Sequence, residues 1–178
     1  MKALYAGSFD PIHAGHIDII KRAVRSFGSI VLLVADNPSK TYKLSPNERI
    51  KWIGEILDAA CITGVTIEYL GNKFLGEYCA EMGITHIVKG LRNGTDLESE
   101  MTQEWYTKKL NENVETIYFS TSEDKRWLSS SAIKTFTEMN HQDFIKYLKK
   151  INKIENMDEE KFETYIDKIY TIYGKKNG

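Results

Sequence analysis

Residues 6–16 read AGSFDPIHAGH, with two glycines, a proline, an aspartate and two histidines in one short joint. The joint follows an apolar run at residues 3–5 and precedes residues 17–27, which place Ile20, Ala23, Val24 and Phe27 on one helical face. A strand handing over to a helix in this way predicts the first half of a β-α-β unit. Gly7 lets a ligand approach the backbone, Pro11 stiffens the turn, and Gly15 lets the following helix come close. The N-terminus of that helix directs free amides and a positive dipole end at an anion. His13 and His16, three positions apart, face the same way. Imidazole can donate a hydrogen bond where charge builds on phosphate oxygens. No third Cys, His or Glu stands at metal-ligand spacing beside them, so no metal ligands are assigned.

Outward from this joint, short apolar runs alternate with amphipathic stretches. Residues 30–35, 65–70, 86–88 and 114–119 read as further strands. Residues 46–60, 74–82, 96–111 and 129–139 read as helices. Ser45 is an N-cap with Pro46 and Glu48 behind it, and Gly83 is a C-cap. Five strands alternating with helices predict an α/β fold, a Rossmann-like doubly wound five-stranded parallel sheet with helices on both faces. Each unusual polar stretch follows a strand: AGSFDPIHAGH, DNPSKTYK, GNKF, KGLRNGTD and STSEDKRWLSSS. In such sheets ligands bind outside the carboxyl ends of the strands, so all five loops are expected to face one cleft. The division is residues 1–140 for this domain and 141–178 for a C-terminal helical extension, whose two amphipathic helices pack on the domain or on a neighbouring subunit.

A formal charge of −1 over 178 residues gives no bulk attraction to nucleic acid or an anionic membrane; any phosphate chemistry has to rest on a local cluster. No apolar run approaches the ~20 residues of a membrane span. Cys61 and Cys79 read as reduced thiols, and with a polar N-terminus they predict a cytoplasmic protein.

Three segments, GSFDPIHAGHIDII, KGLRNGTDLESEM and LSSSAIK, carry a family resemblance. HAGH resembles the H-x-G-H signature of the nucleotidyltransferase superfamily, and the three together resemble the bacterial phosphopantetheine adenylyltransferases. NPSK and LSPNERI match in order, so the resemblance covers about residues 1–140. It implies transfer of AMP from ATP to 4′-phosphopantetheine, giving dephospho-CoA and pyrophosphate, by in-line attack at the α-phosphate. It also implies Mg²⁺ on the ATP phosphates, a homo-oligomer, with a hexamer typical, and CoA as an inhibitor.

The resemblance makes His16 the transition-state stabiliser, with Lys40 and Arg92 as its cationic partners. Ser8, Phe9 and His13 join the ATP site, although His13 stands where many relatives carry Thr. Gly90, Leu91, Arg92, Glu100, Trp127, Leu128, Ser129, Ser130 and Ser131 complete that site. Ser8, Lys40, Leu75 and Lys89 fall to the acceptor. Lys89 replaces a usual Arg and so loses the planar fork; Ser99 replaces a usual Tyr. Asp10 is assigned to bracing the first loop, and Lys134 to the solvated face of its helix. The alternative is another H-x-G-H enzyme, acting on nicotinamide or nicotinate mononucleotide or forming a cytidylyl derivative of an alcohol phosphate. A non-catalytic nucleotide-binding module would have shed His16 or the cations.

Overall fold

A computed structural model describes residues 1–174; the last four positions of the 141–178 extension lie outside the described residues. The strands are β1 (Ala3–Gly7), β2 (Ile30–Val34), β3 (Val65–Tyr69), β4 (His86–Leu91) and β5 (Glu115–Ser120). The helices are α1 (Ala14–Phe27), α2 (Pro46–Ala59), α3 (Leu75–Met82), α4 (Gly94–Leu110), α5 (Ser130–Phe136), α6 (His141–Ile151) and α7 (Glu159–Tyr173). All strand pairs are parallel, in the order β3-β2-β1-β4-β5.

Period-two alternation divides the sheet's side chains between two cores. Tyr5, Leu32, Val34 and Val88 enter the larger cluster with residues of α1, α2, α5, α6 and α7. Leu4, Val31, Leu33 and Ile87 enter the smaller one, with Tyr78 and Cys79 of α3. The unbroken apolar run of β2 follows from this burial on both faces. Burial pushes the Cys79 thiol up to about 12, which keeps it protonated and inert. The chain leaves β1 leftward to β2 and β3, then returns past it to β4 and β5. The carboxyl ends of β1 and β4 therefore flank the point where strand order reverses, where a cleft opens.

Helix α1 starts three residues earlier than its apolar periodicity suggests. His13 is its N-cap: Nδ1 accepts from Gly15 N–H at 3.1 Å, and His13 N–H donates to Nδ1 of His16 at 3.2 Å. Histidine is not among the usual cap residues, so the reciprocal box was not legible as a helix start. His16 thus sits inside the first turn. Helices α6 and α7 are part of the larger core: Phe144, Leu148, Tyr165, Ile166 and Ile169 are all at most 2% exposed. No helix among the described residues is long and apolar enough to cross a membrane.

Candidate active site

The cleft at the switch point has a volume of about 300 Å³. Its walls come from all but one of the five post-strand loops. β1 and its loop supply Tyr5, Gly7, Ser8, His13, Gly15 and His16; the loop after β2 supplies Lys40. β4 and α4 supply Lys89, Gly90, Arg92, Asp96 and Glu100, and the segment after β5 supplies Thr121, Lys125, Leu128, Ser129, Ser130 and Ser131. The loop after β3 contributes nothing to this wall.

The opening loop is built around Phe9. Its φ of 47° lies in the left-handed region, which a bulky residue adopts only when its surroundings hold it there. The ring is 1% exposed and packs edge-on to Tyr5 at 5.3 Å and to His16 at 5.0 Å. Gly7 relieves crowding, because a Cβ there would lie 3.0 Å from the Phe9 ring and the ring would have to shift. Gly15 acts similarly, since its Cβ would lie 3.0 Å from the His13 ring and crowd it. Both glycines make room for aromatic rings under the loop, an internal need that adds to the close ligand approach.

The two imidazoles stack, with centroids 3.7 Å apart and planes at 28°. Because His16 Nδ1 accepts the His13 amide, the neutral ring carries its proton on Nε2. Burial, with added repulsion from Arg92 and Lys40, drives His16 down to about 3. Burial and the neighbouring His16 also hold His13 well below its ordinary value. Both rings are therefore neutral donors at neutral pH. An unfolded imidazole titrates near 6.5, so between about 3 and 6.5 the unfolded chain holds more protons than the folded one. Stability from this source is complete above that interval and is lost as pH falls through it. Urea midpoints measured between pH 7 and 5 are expected to drop, and His16→Gln to flatten the drop. An unchanged slope in His16→Gln would show that the ring protonates freely in the folded state.

Four cations line the cleft: Lys40, Lys89, Arg92 and Lys125. Arg92 is oriented by Asp96, Nε to Oδ2 at 2.9 Å and NH2 to Oδ1 at 3.1 Å. Lys89 Nζ lies 2.7 Å from Glu100 Oε2 and 3.3 Å from Gln103 Oε1. Glu100 therefore neutralises Lys89 in this structure. Lys125 pairs with the exposed Asp124 at 2.9 Å.

Most of the expected site residues converge here. Phe9 contributes from beneath, through its ring against His16. Leu91 is half-buried and outside the lining, while Leu75 packs against the smaller core cluster. Trp127 is 86% exposed and also outside the lining, beside Leu128, which is within it. Lys134, assigned from sequence to the solvated face of α5, instead turns inward to pair with the buried Asp10.

Sequence reasoning passed over Arg49. It is 1% exposed, donates from NH1 to the Ser8 carbonyl at 2.9 Å, and pairs with Asp36. Its guanidinium also lies 4.3 Å over the Tyr42 ring. Burial works to raise the Asp36 pKa, but hydrogen bonds from Tyr69 and Arg49 outweigh it and leave the carboxyl below its ordinary value. The only signal was an arginine in the first turns of an amphipathic helix, which ordinarily means a solvated side chain.

The cytidylyltransferase-like family matches residues 4–136. The phosphopantetheine adenylyltransferase of Micrococcus luteus is 40% identical over 133 residues, covering 75% of this chain and 83% of that protein. That of Caldanaerobacter subterraneus subsp. tengcongensis is 40% identical over 136 residues, covering 76% and 83%. The chain belongs to the phosphopantetheine adenylyltransferases. As a member of that family it is a nucleotidyltransferase. The fold extends further than these alignments. A structure described as a putative nicotinate-nucleotide adenylyltransferase from Vibrio parahaemolyticus superposes with a TM-score of 0.59 at 13% identity. That superposition covers 95% of this adenylyltransferase and 93% of the other chain.

Proposed function

We propose that the chain transfers the adenylyl group of ATP to 4′-phosphopantetheine, forming dephospho-CoA and pyrophosphate. The observation that carries this reading is the meeting, in one cleft, of four cations with a neutral His16 that holds its proton on Nε2. A phosphate oxygen of the acceptor attacks the α-phosphorus, a new P–O bond forms, and the bond to the β-phosphate oxygen breaks as pyrophosphate leaves. The nucleophile is already an anion, so the site needs no general base. It needs positioning and stabilisation of the charge that gathers on the equatorial oxygens.

His16 supplies a hydrogen bond from Nε2 to those oxygens, and Arg92, oriented by Asp96, supplies charge beside them. Lys40 and Lys89 receive the acceptor phosphate. Lys89 reaches it as a point charge shared with Glu100, where an arginine would offer a fork. Ser129–Ser131, with the α5 amides, face the β- and γ-phosphates, and Gly90 with Leu128 borders the nucleoside. Trp127 belongs to the nucleotide side by family resemblance alone. Among the described residues no group of three or more His, Cys, Asp or Glu is placed to hold a metal. Asp96 and Glu100 are engaged by Arg92 and Lys89. In this reading Mg²⁺ enters as the counter-ion of the triphosphate, part of the substrate. Cytoplasmic location, assembly into a homohexamer and inhibition by CoA belong to the same reading.

The test is pyrophosphate release from ATP and Mg²⁺ with 4′-phosphopantetheine, nicotinate mononucleotide or glycerol phosphate offered in turn. Release with 4′-phosphopantetheine, at least about 100-fold faster than with the other two, is the expected result. Release with either of the others and not with 4′-phosphopantetheine would overturn the reading.

A further inference from the structure

We infer that the C-terminal helices position His16: Asn152, Tyr165 and Tyr173 hold the back of the catalytic loop and set its turnover. The inference rests on the adenylyl transfer proposed above and adds residues outside the cleft to that reaction.

The loop at residues 10–14 has four polar groups outside the cleft lining, each bonded by a side chain from a distant part of the chain. The Pro11 carbonyl accepts from Ser130 Oγ at 2.8 Å. The Ile12 carbonyl accepts from the Tyr165 hydroxyl at 2.7 Å. The Ala14 amide donates to Asn152 Oδ1 at 2.7 Å. The Asp10 carboxylate accepts from the Tyr173 hydroxyl and from Lys134. Three of these four anchors involve side chains that lie on or just after α6 and α7, up to 163 positions away in the chain. Asn152 and Tyr165 also bond to each other, Nδ2 to the phenol oxygen at 2.9 Å, so they act as one unit.

These groups are deeply buried: Asn152 is 0%, Tyr165 2%, Tyr173 7% and Asp10 2% exposed. Packing two helices against a sheet needs only apolar surface, as Phe144, Leu148 and Ile166 supply. Burying an amide and two phenols costs free energy unless each is bonded, and all three bond toward one short loop. The bonds fall on both sides of His13. The amide of His13 fixes the His16 tautomer, so the peptides at residues 12 and 14 determine where that amide lies. Ala14 N–H is also the first amide of α1, one of those a helix cannot satisfy within itself. The matched family region ends at residue 136, before α6 begins at His141. The tether to the signature loop therefore comes from outside that region.

The experiment uses the full chain carrying Asn152→Leu, Tyr165→Phe or both, with Ile169→Val as a packing control in α7. Steady-state kinetics with MgATP and 4′-phosphopantetheine are paired with ¹H–¹⁵N spectra of the histidine ring nitrogens and with thermal melts. Each loop variant is expected to lose about 10- to 100-fold in kcat with KM values within about threefold. The His16 nitrogens are expected to move away from a pure Nε2–H tautomer. The double variant falls no further than the worse single one, because the two side chains form one unit. Ile169→Val lowers the melting temperature and leaves kcat and the tautomer as in wild type.

Folded loop variants with kcat within twofold of wild type and unchanged ring nitrogens would overturn the inference. So would an equal loss of kcat in Ile169→Val. Should Asn152→Leu fail to fold, Tyr165→Phe removes one oxygen and decides alone. If the wild type transfers no adenylyl group to 4′-phosphopantetheine, the substrate reading fails, while the ring-nitrogen measurement still judges the tether.

Discussion

Turnover of a His16→Ala enzyme is expected to fall about 100- to 1,000-fold, with ATP affinity changed by less than about threefold. The asymmetry follows from where the ring sits. It is neutral, so it adds little to the ground-state attraction between the cleft's cations and the substrates' phosphates. In the proposed reaction its Nε2–H meets a charge that develops only as the α-phosphorus becomes pentacoordinate. A donor fixed in advance by the His13 amide needs no reorganisation when that charge develops. Single-turnover rates with ATP titrations separate the two quantities. Equal losses in binding and turnover would make His16 a ground-state contact. Because the folded ring titrates near 3, kcat is also expected to show no imidazole step between pH 5.5 and 9.

Arg49→Met is expected to destabilise the fold strongly. The guanidinium spans the Ser8 carbonyl on the catalytic loop, Asp36 after β2 and the Tyr42 ring, while being 1% exposed itself. Methionine keeps much of the apolar stem but leaves the Ser8 carbonyl without this donor, the Asp36 carboxylate with Tyr69 alone, and the Tyr42 ring without its cation. The expected loss is about 2–4 kcal/mol, or a melting temperature lower by about 5–15 °C for a chain of this size. Arg49→Lys restores the charge without the planar two-nitrogen fork, so it recovers part of the loss. Calorimetry decides: a melting temperature within about 2 °C of wild type would show that the loop holds Ser8 without Arg49.

Among the described residues, five strands and seven helices were legible because their signals are local. The unbroken apolar run of β2, the Ser45–Pro46–Glu48 start of α2 and the Gly83 stop of α3 each occupy a few adjacent positions. The family identity was legible for the same reason, since HAGH, KGLR and SSS are contiguous. The start of α1 was not, because an imidazole took the place of a hydroxyl or carboxylate cap. Arg49 and Lys134 were missed because a cation on an amphipathic helix has the same one-dimensional pattern whether it meets water or a buried acceptor. Asn152 was missed because an asparagine just beyond a helix reads as an ordinary helix end, and only burial shows its amide engaged at both atoms.

By itself, the order of residues determined the strand-helix alternation, the loops that meet at the switch point and the nucleotidyltransferase chemistry they carry. Those properties come from backbone propensity, side-chain period and motif spacing, which act over a few residues. Only the tertiary structure decided the charge state of His16, the pairing of Lys89 with Glu100 and the anchoring of the loop by Asn152, Tyr165 and Tyr173. The first depends on exclusion of water, the second on where β4 and α4 meet, and the third on contacts between positions more than a hundred residues apart, none of which is encoded at any single place in the chain.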